Sequence, residues 1–583
     1  MFSGRKLTLK TLFKYLRNYK KEAVLAPLFK MLEAIFELLV PLVVADIIDR
    51  GIGNGDRGFV IKMCLVLLAL GIIGLISAAV AQYFSARAAT GAAAELKTSL
   101  LDKIQSMSYS ALDKTGIATL ITRITGDVNQ VQTGINLTLR LLLRSPFVVA
   151  GAIIMAFIVD VRGALVFTVV VPILFAVVFA ILLVTIPMYK KVQQGVDGVT
   201  GGVRENLTGV RVIRAFRKEK GEVEGFSADS AELVKIQTAT ARISSLLNPL
   251  TYAIISIGII SLLWDGAKGV DTGRITQGEL FALHGYMSQI LVELVKFANL
   301  VITITKSIAG AKRINEVLAS ADNGRATDIA CDTDSDAFVE FKNVSLTYSG
   351  AGDKTLDGIS FKANKGDSIG IIGGTGSGKT SLVNLLAGFY LPTEGDVIVD
   401  GKNTKNTTDG SILSAVAVVP QKAALFKGTI RSNVAVGKKD ATDDEIRRAI
   451  SLAQADELIA DSRGGLDAPV EQNGKNLSGG QRQRLTIARA LVRRPEILIL
   501  DDSASALDLA TEAALRRAIA SLEGTTTFTV SQRASSVMNC DLIVVLENGE
   551  AVGIGTHHEL MEACEVYREI YSSQFEDGEV SAK

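Results

Sequence analysis

Long apolar segments in the N-terminal half constrain the fold of this chain more than any other feature. Each of six such segments reaches or exceeds the roughly 20 residues that a helix needs to cross a bilayer. They lie near residues 22–48, 59–84, 136–159, 163–188, 243–264 and 278–304. We expect six transmembrane helices, because irregular backbone exposed to lipid would leave its amide groups without hydrogen-bond partners. An even number of crossings places both termini on the same side of the membrane.

The distribution of positive charge predicts which side that is. One set of segments carries 22 Lys and Arg residues, and the alternate set carries five. The first set is 1–21, 85–126 and 190–242, and the second is 49–58, 160–162 and 265–276. Because positive connections stay in the cytoplasm, both termini are expected there. Residues 7–20 also place apolar side chains at helical spacing between basic ones, which predicts an amphipathic helix on the membrane surface.

The two long connections, 85–126 and 190–242, keep a helical pattern after they lose their apolar character. We therefore expect membrane helices that continue far into the cytoplasm rather than flexible loops. Each connection has a glycine-containing break, at Lys114-Thr115-Gly116 and at Gly198 to Gly202. A short crosswise helix is expected at each break.

Composition argues against several other classes of protein. The chain has 583 residues and a net charge of +1, so no global positive field favours a nucleic-acid partner. Its four cysteines, Cys64, Cys331, Cys540 and Cys564, have no paired spacing, which argues against a metal site or a disulfide framework. With three histidines in the whole chain, His-based catalysis has no obvious candidate.

A second domain follows the apolar half. Residues 320–337 are polar and acidic, which predicts a linker. From Phe338 onward, short β runs alternate with helical segments, as in an α/β domain. Ser368 to Ile372 is predicted to be a strand that leads into a glycine-rich loop and then a helix. The loop and helix start comprise Gly373, Gly374, Thr375, Gly376, Ser377, Gly378, Lys379 and Thr380.

That loop has the phosphate-loop pattern GxxxxGK[ST] in its required strand–loop–helix context. Its glycines allow many backbone N–H groups to converge on one anion, and the following helix presents its positive end. Lys379 is expected to reach the β- and γ-phosphates, and Thr380 is expected to bind Mg²⁺. The sequence therefore predicts a site for ATP and Mg²⁺.

Two further motifs accompany the loop. Leu477-Ser478-Gly479-Gly480-Gln481 places two glycines at a predicted helix start, a second anion-binding end. The apolar run from Ile497 to Leu500 ends in Asp501, whose carboxylate can hold Mg²⁺ through water. In this order the motifs resemble the nucleotide-binding domain of ATP-binding-cassette (ABC) transporters.

The resemblance covers essentially the whole chain and implies a half-transporter with the exporter fold. This fold is an α-helical membrane domain of six transmembrane helices with long cytoplasmic extensions, followed by an α/β P-loop ABC ATPase domain. The implied parts are an elbow helix at 1–21, the membrane domain at 22–319, the linker at 320–337 and the ATPase domain at 338–583. Coupling regions at about 108–125 and 195–212 would dock into the ATPase domain. A surface helix followed by an amphipathic one would fit the same residues.

The same resemblance assigns roles to single residues. Tyr348 would stack on adenine, and Gln421 would contact Mg²⁺ and sense the membrane domain. Asp508 would lie in the loop that crosses to a second chain. The residues that would close over the γ-phosphate held by that second chain are Ser478, Gly479, Gly480 and Gln481. Taken alone, Tyr348 fits a half-buried strand tyrosine and Gln421 a solvent-facing loop residue.

Two positions depart from the family pattern. The Glu that normally follows the strand-ending Asp is Asp502 here, and the His of the switch position is Gln532. The Asp502 carboxylate is withdrawn by roughly 1–1.5 Å, and misplacement on that scale can lower the rate ~10²-fold. Gln532 can donate a hydrogen bond but cannot carry a positive charge or shuttle a proton. We expect good ATP binding with poor hydrolysis; a site that still turns over slowly is the alternative.

Such departures resemble the degenerate subunit of heterodimeric bacterial ABC exporters. The predicted partner is a second, non-identical half-transporter that supplies the missing Glu and His. The expected function is ATP-driven outward transport of a small amphipathic or hydrophobic solute through the lipid of a bacterial cytoplasmic membrane. Inward transport of a siderophore-like solute and a nucleotide-sensing regulator or channel are the alternatives.

Charged residues interrupt the first apolar segment. Glu33 and Glu37 are four residues apart and therefore share one helix face. Charges within a span face a cavity or a partner, because exposure to lipid is costly. These carboxylates either contact a cationic substrate or protons, or pair with Lys30 or an arginine elsewhere in the chain.

Overall fold

The computed structural model describes residues 14–320, 337–348, 350–407, 409–460 and 464–575. The chain divides into two compact units. One comprises Met1–Asp102 and Ala118–Ala319, and the other comprises Lys103–Ile117 and Ser320–Lys583. Most of the predicted linker and the first half of the predicted elbow helix lie outside the described residues.

The N-terminal half consists of long helices. In chain order they are α1 (Lys20–Asp46), α2 (Arg57–Ser106), α3 (Tyr109–Thr115), α4 (Ile117–Thr122), α5 (Val128–Leu141), α6 (Arg144–Val159), α7 (Val161–Ala215), α8 (Glu219–Ser245), α9 (Leu247–Asp271) and α10 (Gln277–Leu318). A 3₁₀ turn covers Arg17–Tyr19, and π-helical segments cover Ile47–Ile52 and Arg123–Asp127. All of these helices except α3 belong mainly to the first unit.

Among the described residues, five helical stretches are long and apolar enough to cross a membrane, judged by length and composition. They are Arg57–Ser106, Ile117–Val159, Val161–Ala215, Glu219–Asp271 and Gln277–Leu318. Helix α1 is not among them, because Lys30, Glu33 and Glu37 lie in its middle. When α1 is included, there are six helical stretches, and they occur in the same order along the chain as the six predicted membrane segments. At 1.5 Å per residue, α2 and α7 extend about 75 and 80 Å, more than twice the hydrocarbon core of a bilayer.

The predicted break at Gly198 to Gly202 is wrong. These glycines lie inside α7, which continues to Ala215 while packing along α8. A glycine in a helix interior costs only about 1 kcal/mol, and packing along a neighbouring helix offsets that loss. The chain instead reverses after α7, where Arg217 adopts the left-handed φ of 52°. The break at Lys114-Thr115-Gly116 is present: α3 ends at Thr115, and Gly116 has a φ of 77°.

A close helix–helix contact stabilises the first unit. A Cβ at Gly134 would lie 2.2 Å from Oγ of Ser307, so glycine is what allows α5 and α10 to approach. One turn further along α10, a Cβ at Gly310 would lie 3.3 Å from the backbone oxygen of Asp127. The Asp127 carboxylate is buried and accepts hydrogen bonds from the Arg313 guanidinium. Shape and charge thus fix the packing of these two helices together.

A buried ionic network joins three helices of the same unit. Arg144 at the start of α6 donates to Oε1 of Glu293 on α10 at 2.5 Å and to Oε2 of Glu37 on α1 at 2.6 Å. Lys30 donates to Oε2 of Glu33 at 2.5 Å, and Glu33 lies 3.9 Å from the same guanidinium. Of the two sequence-level alternatives for these carboxylates, the structure supports pairing with Lys30 and a distant arginine.

The C-terminal domain is built on β-sheets. Its strands are β1 (Val339–Leu346), β2 (Leu356–Ala363), β3 (Ser368–Gly373), β4 (Glu394–Val399), β5 (Lys402–Asn403), β6 (Val416–Val419), β7 (Gly428–Thr429), β8 (Pro469–Val470), β9 (Ile497–Asp501), β10 (Thr526–Ser531), β11 (Leu542–Glu547) and β12 (Glu550–Gly555). Within the described residues, six strands form one sheet in the order β12-β11-β3-β10-β9-β6, parallel except at β12. A four-stranded antiparallel sheet has the order β2-β1-β4-β5, and β7 pairs with β8.

Helices cover the parallel sheet. They are α11 (Lys379–Leu386), α12 (Asp409–Ala415), α13 (Ile430–Ala435), α14 (Asp443–Leu452), α15 (Glu457–Ala460), α16 (Gly479–Leu491), α17 (Leu509–Ala520), α18 (Ala534–Val537), α19 (His557–Ala563) and α20 (Glu565–Phe575). Short 3₁₀ turns cover Gly465–Asp467 and Gln472–Gly474. Every residue of β9 is buried, as expected for a central parallel strand covered on both faces. The carboxyl ends of β3, β9 and β10 therefore meet at one edge of the sheet.

Candidate functional site

The phosphate loop connects β3 to α11, so the predicted strand–loop–helix arrangement is confirmed. Gly376 and Gly378 have φ values of 84° and 98°, a region that favours glycine. The Lys379 ammonium donates to the backbone oxygens of Gly373 at 2.8 Å and Gly374 at 2.6 Å, which holds it within the loop. Burial lowers the pKa of Lys379, because the charged form loses its hydration. An anion in the loop would stabilise that charge.

Thr380 and Asp501 bring two oxygen ligands together at the start of α11 and the end of β9. The Thr380 hydroxyl donates to Oδ1 of Asp501 at 3.2 Å. Burial, and then the nearby Asp502 charge, raise the pKa of Asp501. A bound cation would reverse this effect, and hydroxyl and carboxylate oxygens are the ligands that Mg²⁺ prefers. These residues therefore fit the predicted Mg²⁺ site.

Asp502 lies directly after β9, and the Gln421 amide contacts it. Nε2 of Gln421 donates to Oδ2 of Asp502 at 3.3 Å, across 81 positions of sequence. The Asp502 backbone N–H donates to the Val530 oxygen at 3.0 Å, and its φ is 46°. Aspartate tolerates this left-handed conformation better than most residues with a Cβ. The backbone thus fixes the point from which the short carboxylate extends.

Gln532 follows β10 and is exposed. The amide of Gln574, on α20, contacts the backbone at Gln532 and two residues after it. Gln574 donates to the Gln532 oxygen at 2.8 Å and accepts from the Ala534 N–H at 2.8 Å. The backbone at the switch position is therefore fixed by a side chain 42 residues away in sequence.

Glu512 provides a second support for the same loop. Its carboxylate is buried on α17 and accepts from Ser536 Oγ at 2.5 Å and from the Arg533 guanidinium at 3.1 Å. Helix α17 begins at its N-cap Asp508, whose carboxylate accepts from the Thr511 N–H at 2.9 Å. Sequence analysis missed both Glu512 and Gln574, because a polar residue on a helix has no local signal that shows which loop it contacts.

The signature segment forms the start of α16. Ser478 is the N-cap: its Oγ accepts from the Gln481 N–H at 3.2 Å, and the Gln481 side chain accepts from the Ser478 N–H at 2.9 Å. A Cβ at Gly480 would lie 3.2 Å from the Ala506 backbone oxygen, so glycine keeps this helix start close to the loop between β9 and α17. Ser478 and Gly479 are exposed, so the first backbone N–H groups of α16, which have no partner within the helix, lie near the surface. That end can bind an anion that another chain holds.

Tyr348 follows β1 and is half-buried. Its hydroxyl donates to Oγ of Ser381 on α11 at 3.0 Å. Its ring meets that of Tyr390 edge to face, with centroids 5.0 Å apart. Because Ser381 belongs to the helix that the phosphate loop begins, the Tyr348 ring is tied to the phosphate-binding helix.

Known proteins give the same division of the chain. Residues 24–294 match the family model described as the ABC transporter transmembrane region, and residues 356–505 match the family model described as ABC transporter. The two matches define a membrane protein that carries its own ATPase domain. The chain belongs to the ABC transporter family, and it is a half-transporter in which an α-helical membrane domain precedes an ABC ATPase domain.

Individual relatives extend over nearly the full length. The chain is 34% identical to the uncharacterized ABC transporter ATP-binding protein YfiB of Bacillus subtilis, over 96% of this chain and 98% of that protein. It is 27% identical to the putative export ATP-binding/permease protein RC1073 of Rickettsia conorii, over 97% and 98%. A bacterial Atm1-family ABC exporter with ATP bound has the same fold, with a TM-score of 0.78 at 22% identity over 95% of this chain and 98% of that chain. The predicted fold class is thereby confirmed.

Proposed function

We propose that this chain is the weakly hydrolysing subunit of a heterodimeric exporter. Its partner is a second, non-identical half-transporter, and the solute is small and amphipathic or hydrophobic. The observation that carries the proposal is Asp502: its short side chain extends from a backbone that the β10 contact holds in place, and Gln421 contacts its carboxylate. A water placed for the longer Glu side chain would lie beyond its reach.

Binding and hydrolysis are thereby separated within one site. The phosphate loop, Lys379, Thr380 and Asp501 supply the groups that hold ATP and Mg²⁺, and Tyr348 supplies the aromatic ring for adenine. Bound Mg²⁺ would neutralise phosphate charge. Hydrolysis also needs a carboxylate that orients water and a group that contacts the γ-phosphate. Asp502 is short for the first task, and Gln532 offers only an amide for the second.

The signature segment supports the division of labour between two chains. Its capping box is complete, and its helix start is exposed, so it is built to complete a phosphate site that belongs to the partner. Two copies of this chain would form two weak sites. One copy with a partner that carries Glu and His would form one efficient site, in which Ser478, Gly479, Gly480 and Gln481 contact the partner's nucleotide.

The membrane unit favours an amphipathic or hydrophobic solute. Glu33, Glu37 and Glu293 are each within ion-pair distance of Arg144, and Lys30 and Lys296 provide further compensation. Because internal partners already neutralise these carboxylates, the apolar helix faces remain as the main binding surface. The proposed location is a bacterial cytoplasmic membrane, with both termini and the ATPase domain in the cytoplasm. Regions 108–125 and 195–212 are proposed to couple the two domains.

The test is ATPase activity in lipid, measured for this chain alone and then with the candidate partner. Lys379→Ala in this chain is the control for ATP bound at its own site. We expect near silence alone and activity with the partner, which persists at a reduced level in the Lys379→Ala complex. If the chain alone hydrolyses ATP as fast as the pair, the degenerate-site proposal is wrong.

A further inference from the structure

Helix α3 contacts the ATPase domain through an aromatic cluster within the second unit. The ring of Tyr109, its first residue, stacks on Phe389 with centroids 4.4 Å apart and an interplanar angle of 28°. The same ring lies 6.2 Å from that of Tyr390. The Tyr390 hydroxyl donates to Oδ2 of Asp113, one turn further along α3. Tyr390 therefore contacts both turns of this short helix.

The Tyr390 ring also contacts Tyr348, whose ring is proposed to bind adenine. The two rings meet at an interplanar angle of 88°, the edge-to-face arrangement that aromatic pairs favour. Tyr348 in turn donates to Ser381 on α11, the helix that follows the phosphate loop. One side chain thus separates the proposed adenine-binding ring from a helix that is continuous in sequence with α2 of the membrane unit.

The hydrogen bond between Tyr390 and Asp113 is suited to transmitting movement between the aromatic cluster and α3. Burial, and then the Asp113 carboxylate, raise the pKa of Tyr390, because both disfavour the ionised hydroxyl. A hydroxyl donating to a carboxylate is a charge-assisted hydrogen bond, stronger and shorter than a neutral one. Helix α3 is also well defined at both ends, by the Ser108 cap and by Gly116. A displacement of the Tyr390 ring would therefore move α3 as a unit.

We propose that Tyr390 is a positioning residue that transmits nucleotide occupancy at Tyr348 to α3 and hence to α2. The inference rests on the proposed function only in that ATP must bind at this chain's own site. The Tyr390 ring sets the orientation of Tyr348 and so affects ATP affinity. The Tyr390 hydroxyl, through Asp113, carries the response to the membrane helices. If Tyr390 were only packing material, the two effects would not separate.

The test is hydrogen–deuterium exchange of the full chain in lipid nanodiscs, titrated with ATP and Mg²⁺. In the wild type, ATP is expected to protect the phosphate-loop peptide and to change exchange in residues 57–102. Asp113→Ala should keep the first effect and lose the second. Tyr390→Leu should shift the ATP midpoint upward about two- to tenfold, as expected for loss of one aromatic pair. Tyr390→Phe should behave as Asp113→Ala does.

Lys114→Ala is the matched control, because it removes a charge from the next position of the same helix. It should behave as the wild type. The inference is overturned if residues 57–102 still respond to ATP in Asp113→Ala, or if Lys114→Ala also abolishes that response. Protection of the wild-type phosphate loop without any response in residues 57–102 also overturns it, and leaves the proposed function intact. Absence of phosphate-loop protection would instead contradict the proposed function.

Discussion

Asp502→Glu should raise the rate of hydrolysis at the proposed weak site. The added methylene moves the carboxylate outward by about 1–1.5 Å from a backbone position that the Val530 contact fixes. Misplacement of about 1 Å can account for ~10²-fold in rate, so kcat should rise by about 10- to 100-fold. The gain should stay below that of a complete site, because Gln532 still lacks the charge of a histidine. Left-handed backbone at φ 46° suits Glu less well than Asp, so the variant should lose about 1 kcal/mol of stability.

The assay is steady-state ATPase activity of this chain alone in nanodiscs, together with the ATP dissociation constant and the thermal midpoint. Asp502→Asn is the matched control, since it keeps the size of Asp but removes its charge, and it should abolish residual turnover. Both variants should bind ATP as the wild type does. An Asp502→Glu chain that binds ATP normally and shows no increase in kcat would refute the reasoning that side-chain reach limits hydrolysis.

Three further predictions concern the membrane unit and the Mg²⁺ site. Arg144→Leu leaves the buried Glu293 carboxylate without its main partner and should destabilise the membrane unit by about 3 kcal/mol, measured as a lower thermal midpoint in detergent. Gly134→Ala places a Cβ 2.2 Å from Oγ of Ser307 and should cost about 1–3 kcal/mol in the same measurement. Burial raises the pKa of Asp501, so this carboxylate becomes protonated at a higher pH than a solvent-exposed aspartate. As the pH falls, Mg²⁺ affinity should therefore begin to decline at a higher pH. The measurement is Mn²⁺ binding across a range of pH.

Controls separate these effects from general damage. Lys312→Ala removes an exposed cation 4.0 Å from Glu316 and should change stability by less than about 0.5 kcal/mol. Gly198→Ala adds a Cβ with nothing within 4 Å and should stabilise α7 slightly. Equal losses in Gly134→Ala and Gly198→Ala would contradict the packing argument. In Asp501→Asn, any metal binding that remains should lose the pH dependence attributed to the Asp501 carboxylate. If the same pH dependence persists, another residue must cause it.

Local patterns in the sequence were sufficient for much of the ATPase domain. The phosphate loop and its helix depend on residues within one short segment, so glycine spacing and the following apolar residues already specify them. The capping box joins Ser478 and Gln481, which are three positions apart, and is visible in the same way. The loops that follow β3 and β9 lie at one edge of the sheet, because the carboxyl ends of parallel strands meet there.

Tertiary structure alone decided the supports of the site. Gln574 contacts the switch loop from 42 residues away, and Arg144 contacts Glu293 from 149 residues away. Nothing local distinguishes such residues from other polar residues on helices. The misplaced break at Gly198 to Gly202 has the same origin: local glycine content favours a break there, while packing of α7 along α8 keeps the helix continuous.

The sequence by itself determined the class of protein, the phosphate loop that is proposed to bind ATP, and the two departures at Asp502 and Gln532. These follow from residue type at fixed spacing, and short-range geometry is encoded where it occurs. Only the tertiary structure decided which side chains hold the backbone at Gln532 and which basic side chains pair with the carboxylates of the membrane unit. It also decided that Tyr390 contacts both Tyr348 and α3. Those contacts depend on the packing of segments that are distant in sequence, and packing is a property of the whole folded chain.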